Sequence, residues 1–249
     1  YHTGVPAVGV DNTVYIGAYN NNFYALNGLT GELKWKDNAS EPIRGLIAIE
    51  GSKSILFGAW DKCLYKFKKS NLGESYFRQF KYRTKGYVYS SPAIDSEGSA
   101  YFGSYDKKIY AVNSSGDGIW SFATKGAITG HPVITSDDKL IVGSTDNNLY
   151  CLNMLNGKLI WSYETGGRID HVALANGNIF FGSWDGYIYC IKSDSLLAEA
   201  PWPTVGRNFS RAFNSQAGAL KIKNKISSMS VEKANKAVFS SFANGEWPR

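Results

Sequence analysis

The sequence predicts an all-β protein, a β-propeller of five four-stranded blades followed by a C-terminal extension with a short helix. Three observations carry this. The segment Phe102-Gly103-Ser104-Tyr105-Asp106-Lys107-Lys108-Ile109-Tyr110-Ala111-Val112-Asn113 recurs at 16–27, 57–68, 142–153 and 181–192, as apolar-Gly-[Ser/Ala]-x-[Asp/Asn]-x-x-apolar-Tyr-x-apolar-[Asn/Lys]. Its anchor glycines, Gly17, Gly58, Gly103, Gly143 and Gly182, lie 41, 45, 40 and 39 residues apart. A large aromatic, Trp35, Tyr76, Trp120 or Trp161, follows four of the five copies. A period of roughly 40 residues filled with short strands is that of a propeller blade.

Taken in order, blade one has strands over 5–10, 13–18, 23–27 and 33–36, and blade two over 44–49, 55–58, 64–67 and 75–80. Blade three follows at 88–94, 100–104, 109–113 and 118–123, and blade four at 128–135, 140–144, 149–153 and 158–163. In blade five 169–175, 178–183 and 187–192 are evident, but the outer strand has no signal. First-to-second turns carry Asp11-Asn12, Glu50-Gly51, Glu97-Gly98, Asp137-Asp138 and Asn176-Gly177, residues that accept tight or left-handed backbone. Second-to-third hairpins open on Asn20, Asp61, Asp106, Asp146 or Asp185, whose side chains can bond to the backbone two residues on. The four aromatics fall on the outer strands, where a ring can wedge between neighbouring blades. Beyond Phe213 the period stops. The segment 220–226 alternates apolar and basic residues, and 230–243 reads as a helix with Val231, Ala234, Val238 and Phe242 on one stripe. The expected units are therefore a propeller over 1–213 and a basic extension over 214–249.

The 249 residues suffice for one large β domain. Net charge is +6, and all of it comes from 203–249, where eight basic residues face only Glu232 and Glu246. A solvated, mobile end is the simplest reading; a basic tail also suits peripheral contact with acidic lipid or an acidic partner. No apolar run approaches the roughly 18 residues of a transmembrane helix. Cys63, Cys151 and Cys190 have neither metal-ligand spacing nor a close pair, and Cys151 and Cys190 occupy equivalent sites after the repeat tyrosine, as small buried thiols would. The opening Tyr1-His2-Thr3-Gly4-Val5-Pro6 matches Ile128-Thr129-Gly130-His131-Pro132, so the chain begins where a blade begins.

The run Ala25-Leu26-Asn27-Gly28-Leu29-Thr30-Gly31-Glu32-Leu33-Lys34-Trp35 resembles the tryptophan-docking motif of pyrroloquinoline-quinone-type (PQQ-like) propellers. Residues 151–161 match it less fully, and 111–120 is one residue short. The lead-in Ser90-Ser91-Pro92-Ala93-Ile94, the hairpin over 182–189 and Pro201-Trp202-Pro203, similar to a blade-closing sequence, extend the resemblance to about residue 213. Five blades are fewer than the family usually shows, which points to a fragment. The resemblance implies a periplasmic, outer-membrane or extracellular setting. Enzymes of the family are quinoprotein dehydrogenases with a vicinal cysteine pair, an acidic base and a bound calcium or lanthanide. No Cys-Cys pair occurs here, the Asp and Asn residues are largely used by turns, and we expect no enzyme, no cofactor and no metal.

Two clusters remain as candidate sites. His131 and His171 occupy near-equivalent positions at the start of the innermost strands, where Arg44, Arg168 and Asp170 also fall. Together they can hydrate the channel, hold an anionic group or begin a metal site. The residues after each Gly-[Ser/Ala], namely Tyr19, Trp60, Tyr105, Thr145 and Trp184, lie at one level near one mouth. They serve either packing between blades or contact with a partner, and full burial of Trp60 and Trp184 would dismiss the second use. Two functions stay open: a non-catalytic scaffold for a protein partner, similar to envelope-assembly and sensor-domain members of the family, and a propeller binding a small ligand or cofactor in its channel. Nucleic-acid binding by the Lys221–Lys236 tail comes third.

Overall fold

The structure, a computed structural model, describes residues 4–51, 53–70, 76–193 and 195–200, and the backbone of 235–237. The described residues form five four-stranded antiparallel sheets and no helix. Blade one contains β1 (Ala7–Val8), β2 (Thr13–Gly17), β3 (Asn22–Asn27) and β4 (Leu33–Asn38), and blade two contains β5 (Ile47–Glu50), β6 (Ser54–Ala59), β7 (Cys63–Lys69) and β8 (Tyr76–Arg83). Blade three has β9 (Ala93–Ile94), β10 (Ala100–Ser104), β11 (Lys108–Val112) and β12 (Gly118–Ala123). Blade four has β13 (Val133–Ile134), β14 (Lys139–Gly143), β15 (Asn148–Asn153) and β16 (Leu159–Glu164). Blade five has β17 (Ile169–Ala175), β18 (Asn178–Ser183), β19 (Ile188–Lys192) and β20 (Asn235–Ala237). Within every sheet spatial order follows chain order.

The hairpin signature has a direct physical reading. In four blades the Asp that opens the second-to-third turn accepts the hydroxyl of the repeat tyrosine four residues on: Tyr65 to Asp61, Tyr110 to Asp106 (2.7 Å), Tyr150 to Asp146 (2.9 Å) and Tyr189 to Asp185 (2.7 Å). The same carboxylates of Asp106, Asp146 and Asp185 accept the backbone N–H of Lys85, Lys125 and Gly166 in the chain arriving from the preceding blade. Each Asp thus ties its own hairpin to the inter-blade connection. In blade one the polarity reverses, Asn20 donating to the Tyr24 hydroxyl at 2.7 Å. Asn21, Lys62, Lys107 and Asn147 take positive φ within these hairpins, and Gly186 does so in the fifth.

Blades pack face to face, and the anchor glycines set the approach. A Cβ on Gly17, Gly58, Gly103 or Gly143 would fall 2.1–2.5 Å from Ile43, Val88, Ile128 or Ile169 of the next blade. The second strands of blades two, three and four are accordingly buried almost throughout. The outermost blades bury only one face each. Along β2 Thr13, Tyr15 and Gly17 are buried while Val14 and Ile16 are not; along β18 Ile179, Phe181 and Ser183 are buried while Gly182 is exposed. Nothing lies within 4 Å of a Cβ built on Gly182. Ile188, whose counterparts Phe23, Leu64, Ile109 and Leu149 are wholly buried, is 50% exposed. The outward faces of the first and fifth blades are therefore both open among the described residues.

Four expectations need correction or placement. First strands are shorter than expected in blades one to four, whereas in blade five the strand spans 169–175 as expected. In blades two and three Ile43 and Val88 donate to Ala18 and Ala59 of the preceding blade, while Pro42 and Tyr87 accept from Trp60 and Tyr105 just past the second strand, leaving no regular ladder there. In blade two, two aromatics share the wedge: Trp35, Trp120 and Trp161 stand opposite Ala25, Ala111 and Cys151, and their register equivalent opposite Lys66 is Phe80, while Tyr76 packs between blades one and two, stacked on Trp35 at 5.3 Å. The repeat with the 45-residue spacing uses its extra residues to extend β7 and β8 by the pairs Lys68–Phe77 and Lys69–Tyr76, so counting from the end of β7 reaches Tyr76 before Phe80. The helix expected over 230–243 is replaced, in its three described residues, by β20, which pairs with β19 and supplies the missing outer strand of blade five. An open strand edge offers a row of backbone partners, and an isolated helix of this length is marginal in water. Pro201-Trp202-Pro203 lies outside the described residues.

Candidate functional site

Each inner strand is preceded by a short lead-in that bridges two blades, and the side chains of these lead-ins converge. Antiparallel order puts the lead-ins and the second-to-third hairpins at one end of the blades, the other turns at the opposite end. At the hairpin end Val5, Arg44, Leu46, Trp60, Tyr87, Tyr89, Tyr105, Thr129, His131, Arg168, Asp170 and His171, contributed by all five blades, line a cavity of about 570 Å³. All of Arg44, His131, Arg168, Asp170 and His171 are on this wall.

The histidine pair is offset rather than equivalent. Aligning Ile128 with Ile169 places His131 one residue further along than His171, and a bulge between Ile169 and Val172 absorbs the difference. The imidazoles stack with centroids 5.1 Å apart. His131 is 3% exposed, and its Nδ1 accepts the Ser91 backbone N–H at 2.8 Å, which leaves Nε2 to carry the proton. Burial, reinforced by the neighbouring His171 and opposed by Asp170, holds the His131 pKa down to about 3. It is a neutral, structural imidazole at physiological pH. Among the described residues no group of three or more His, Cys, Asp or Glu could hold a metal ion.

Aromatic rings form a continuous row over three blades. Tyr19 meets Trp60 edge-on at 5.9 Å, Trp60 stacks on Tyr87 at 5.4 Å, and Tyr87 tilts against Tyr105 at 6.0 Å. Thr145 interrupts the row in blade four. Trp184 stands apart in blade five, 69% exposed, while Trp60 is half-buried and Tyr105 is 46% exposed. The burial that would have dismissed partner contact is not found. Tyr87 and Tyr89 were missed from sequence. The usable signal was their alternation around Val88 in the lead-in, since Val88 faces Gly58 and its neighbours must face elsewhere.

The two arginines are held differently. Arg44 lies 5.0 Å from the ring centroids of both Tyr19 and Trp60, and no carboxylate pairs with it among the described residues. Arg168 sits 3.6 Å over the Trp184 ring. Its Nε is 3.2 Å from Asp170 Oδ2 but off line for a hydrogen bond, so the pair is a contact of charges. Asp170 in turn accepts Trp184 Nε1–H at 2.7 Å and the Thr129 hydroxyl at 2.8 Å. That carboxylate, the only one on the wall among the described residues, is already engaged on both oxygens, and the sequence has no vicinal cysteine pair. The donor set therefore does not fit the calcium–quinone pair of quinoprotein enzymes.

Comparison with known proteins places this architecture. The family model described as outer membrane protein assembly factor BamB matches residues 84–229, more than half of the chain. Among solved structures, the crystal structure of BamB from Moraxella catarrhalis superposes with a TM-score of 0.66 at 14% sequence identity, over 77% of this chain and 63% of that one. At that identity the likeness concerns the fold, and the chain spans less than two thirds of its structural neighbour. A comparison with curated proteins returns no match.

Proposed function

Because this chain belongs to the family of outer membrane protein assembly factor BamB, whose fold is a PQQ-like propeller, we propose that it is a non-catalytic scaffold of the cell envelope that holds a protein partner at the hairpin-end mouth. The observation that carries this reading is the row Tyr19–Trp60–Tyr87–Tyr105. Rings already packed on one another, with an arginine against them, lose little rotamer freedom on binding, and Trp, Tyr and Arg dominate the energetics of protein interfaces. A rigid blade framework presents them without reorganisation. A photo-crosslinking residue at Tyr105, set against one at Leu29 in an exposed turn at the opposite end of blade one, tests it in living cells. Capture of a discrete envelope protein from the Tyr105 site alone supports the reading. Capture of the same species from both sites, or from neither, defeats it.

The cavity itself favours a second reading, a small ligand bound in the channel mouth, since about 570 Å³ accommodates one. Titration of the protein with the quinone plus calcium addresses its cofactor version; saturable binding would favour it over the scaffold, though the engaged state of Asp170 argues against it.

A further inference from the structure

Beside the mouth cavity lies a second pocket of about 360 Å³, lined by Ser40, Glu41, Trp60, Asp61, Lys62, Lys81, Arg83 and Tyr87. Trp60 and Tyr87 line both, so their stacked pair is a shared wall, and the two hollows form one groove crossing from blade three over blade two. The charges along it are unequal. Lys81 is paired with Asp61 at 3.0 Å and Arg168 with Asp170 at 3.2 Å. Arg44, Lys62 and Arg83 have no ion-pair partner among the described residues, whereas Glu41 is the one carboxylate of the groove left unpaired. The half-buried Arg44 guanidinium lies against the edge-on Tyr19–Trp60 pair, 5.0 Å from each ring centroid, which holds it beside the rings with N–H groups left to present. That geometry suits the two oxygens of a carboxylate.

Resting on the scaffold reading above, the geometry points to the chemistry of its partner: an acidic, extended peptide segment that crosses the Trp60–Tyr87 pair, with one carboxylate on Arg44 and a second on Lys62 and Arg83. The rings supply area for the stems between the charges, and the cations supply selection against neutral or basic segments.

The test uses the full chain and a fluorescein-labelled peptide in which Glu alternates with apolar residues, compared by anisotropy with the same peptide carrying Gln for Glu. The expected result is at least tenfold tighter binding of the Glu peptide, a tenfold loss with Arg44→Gln, about threefold losses with Lys62→Gln and Arg83→Gln, and no change with Lys34→Gln in the outer strand of blade one. Should Arg44→Gln fail to fold, the exposed Lys62→Gln/Arg83→Gln double variant carries the test with the same tenfold criterion. Equal binding of the two peptides, or indifference to these variants, overturns the proposal. So does tighter binding of single-stranded DNA or of anionic lipid vesicles than of the Glu peptide, because charge alone would then explain the groove. A partner crosslinked at Tyr105 together with equal binding of the Glu and Gln peptides would leave the scaffold standing and remove only the acidic specificity.

Discussion

Replacing His131 by Asn should flatten the acid side of the stability profile. An Asn amide oxygen can take the place of Nδ1 and keep the bond from the Ser91 N–H, which is 2.8 Å in the parent, while removing the titrating group. The unfolded chain takes up a proton on His131 near the ordinary 6.5, but the folded chain refuses it until about 3, chiefly because the ring is buried and secondarily because His171 faces it. A base whose folded pKa is lowered contributes its full stability above the unfolded value and loses it as pH falls. Between pH 8 and pH 4.5 that loss is about 3 kcal/mol, two pH units below 6.5 at about 1.4 kcal/mol per unit. Urea unfolding of parent and variant at both pH values, followed by tryptophan fluorescence, gives the difference of differences, in which the carboxylates common to both cancel. The parent should lose about 3 kcal/mol more than His131→Asn over this range. Parallel profiles would mean that His131 accepts its proton in the folded state, and the assignment of a dry, neutral imidazole to this wall would be wrong.

Three further outcomes are expected. Gly58→Ala should cost about 2 kcal/mol or more, because its Cβ would meet the Val88 carbonyl oxygen at 2.3 Å, whereas Gly182→Ala should stay within about 0.5 kcal/mol; equal damage in denaturant melts would show that the face of blade five is covered. Trp120→Ala should destabilise by roughly 3 kcal/mol and Trp120→Phe by about 1, since the ring lies under Gly157 and Nε1 donates to the Met154 carbonyl at 2.9 Å; an identical loss for both would assign the whole effect to the hydrogen bond. Lys66 is buried with its ammonium 3.3 Å from Glu50, so Glu50→Gln alone should cost about 3 kcal/mol and Glu50→Gln/Lys66→Met should recover most of it; a double variant as unstable as the single one would contradict the reading of an uncompensated charge.

The blades were legible because one chemical unit is written five times. Glycine at a blade contact, Asp four residues before Tyr, and left-handed residues in the hairpins each have a local cause, and repetition makes a local cause visible. What escaped is where repetition breaks. Blade two lengthens its outer hairpin by two residue pairs, so Phe80 takes the register of the other blades' tryptophans while Tyr76 stacks on Trp35 of blade one. The outer strand of blade five comes from residues far along the chain, and no period links Asn235–Ala237 to the rest. The mouth was half legible for the same reason. Trp60, Tyr105 and Trp184 stand at a repeated position, but Tyr87 and Tyr89 belong to a lead-in whose side-chain directions depend on contact with the preceding blade, which sequence spacing alone does not supply.

The departures from the repeat also separate framework from site. The position held by Arg44 carries Tyr89 in blade three, Thr129 in blade four and Asp170 in blade five, while the neighbouring positions held by Ile43, Val88, Ile128 and Ile169 stay apolar and buried. A residue facing the next blade must fit the same gap each time, so packing fixes its character. One facing the mouth meets no such gap and is free to differ from blade to blade. The variation at these lead-in positions therefore follows from geometry before any function is invoked, and it concentrates charge and aromatic surface where five rigid sheets meet. Any partner of the mouth reads a pattern that the blade fold tolerates but does not dictate. For that reason substitutions at Arg44 or Tyr105 should alter recognition far more than stability, whereas those at Val88 or Ile128 should do the reverse.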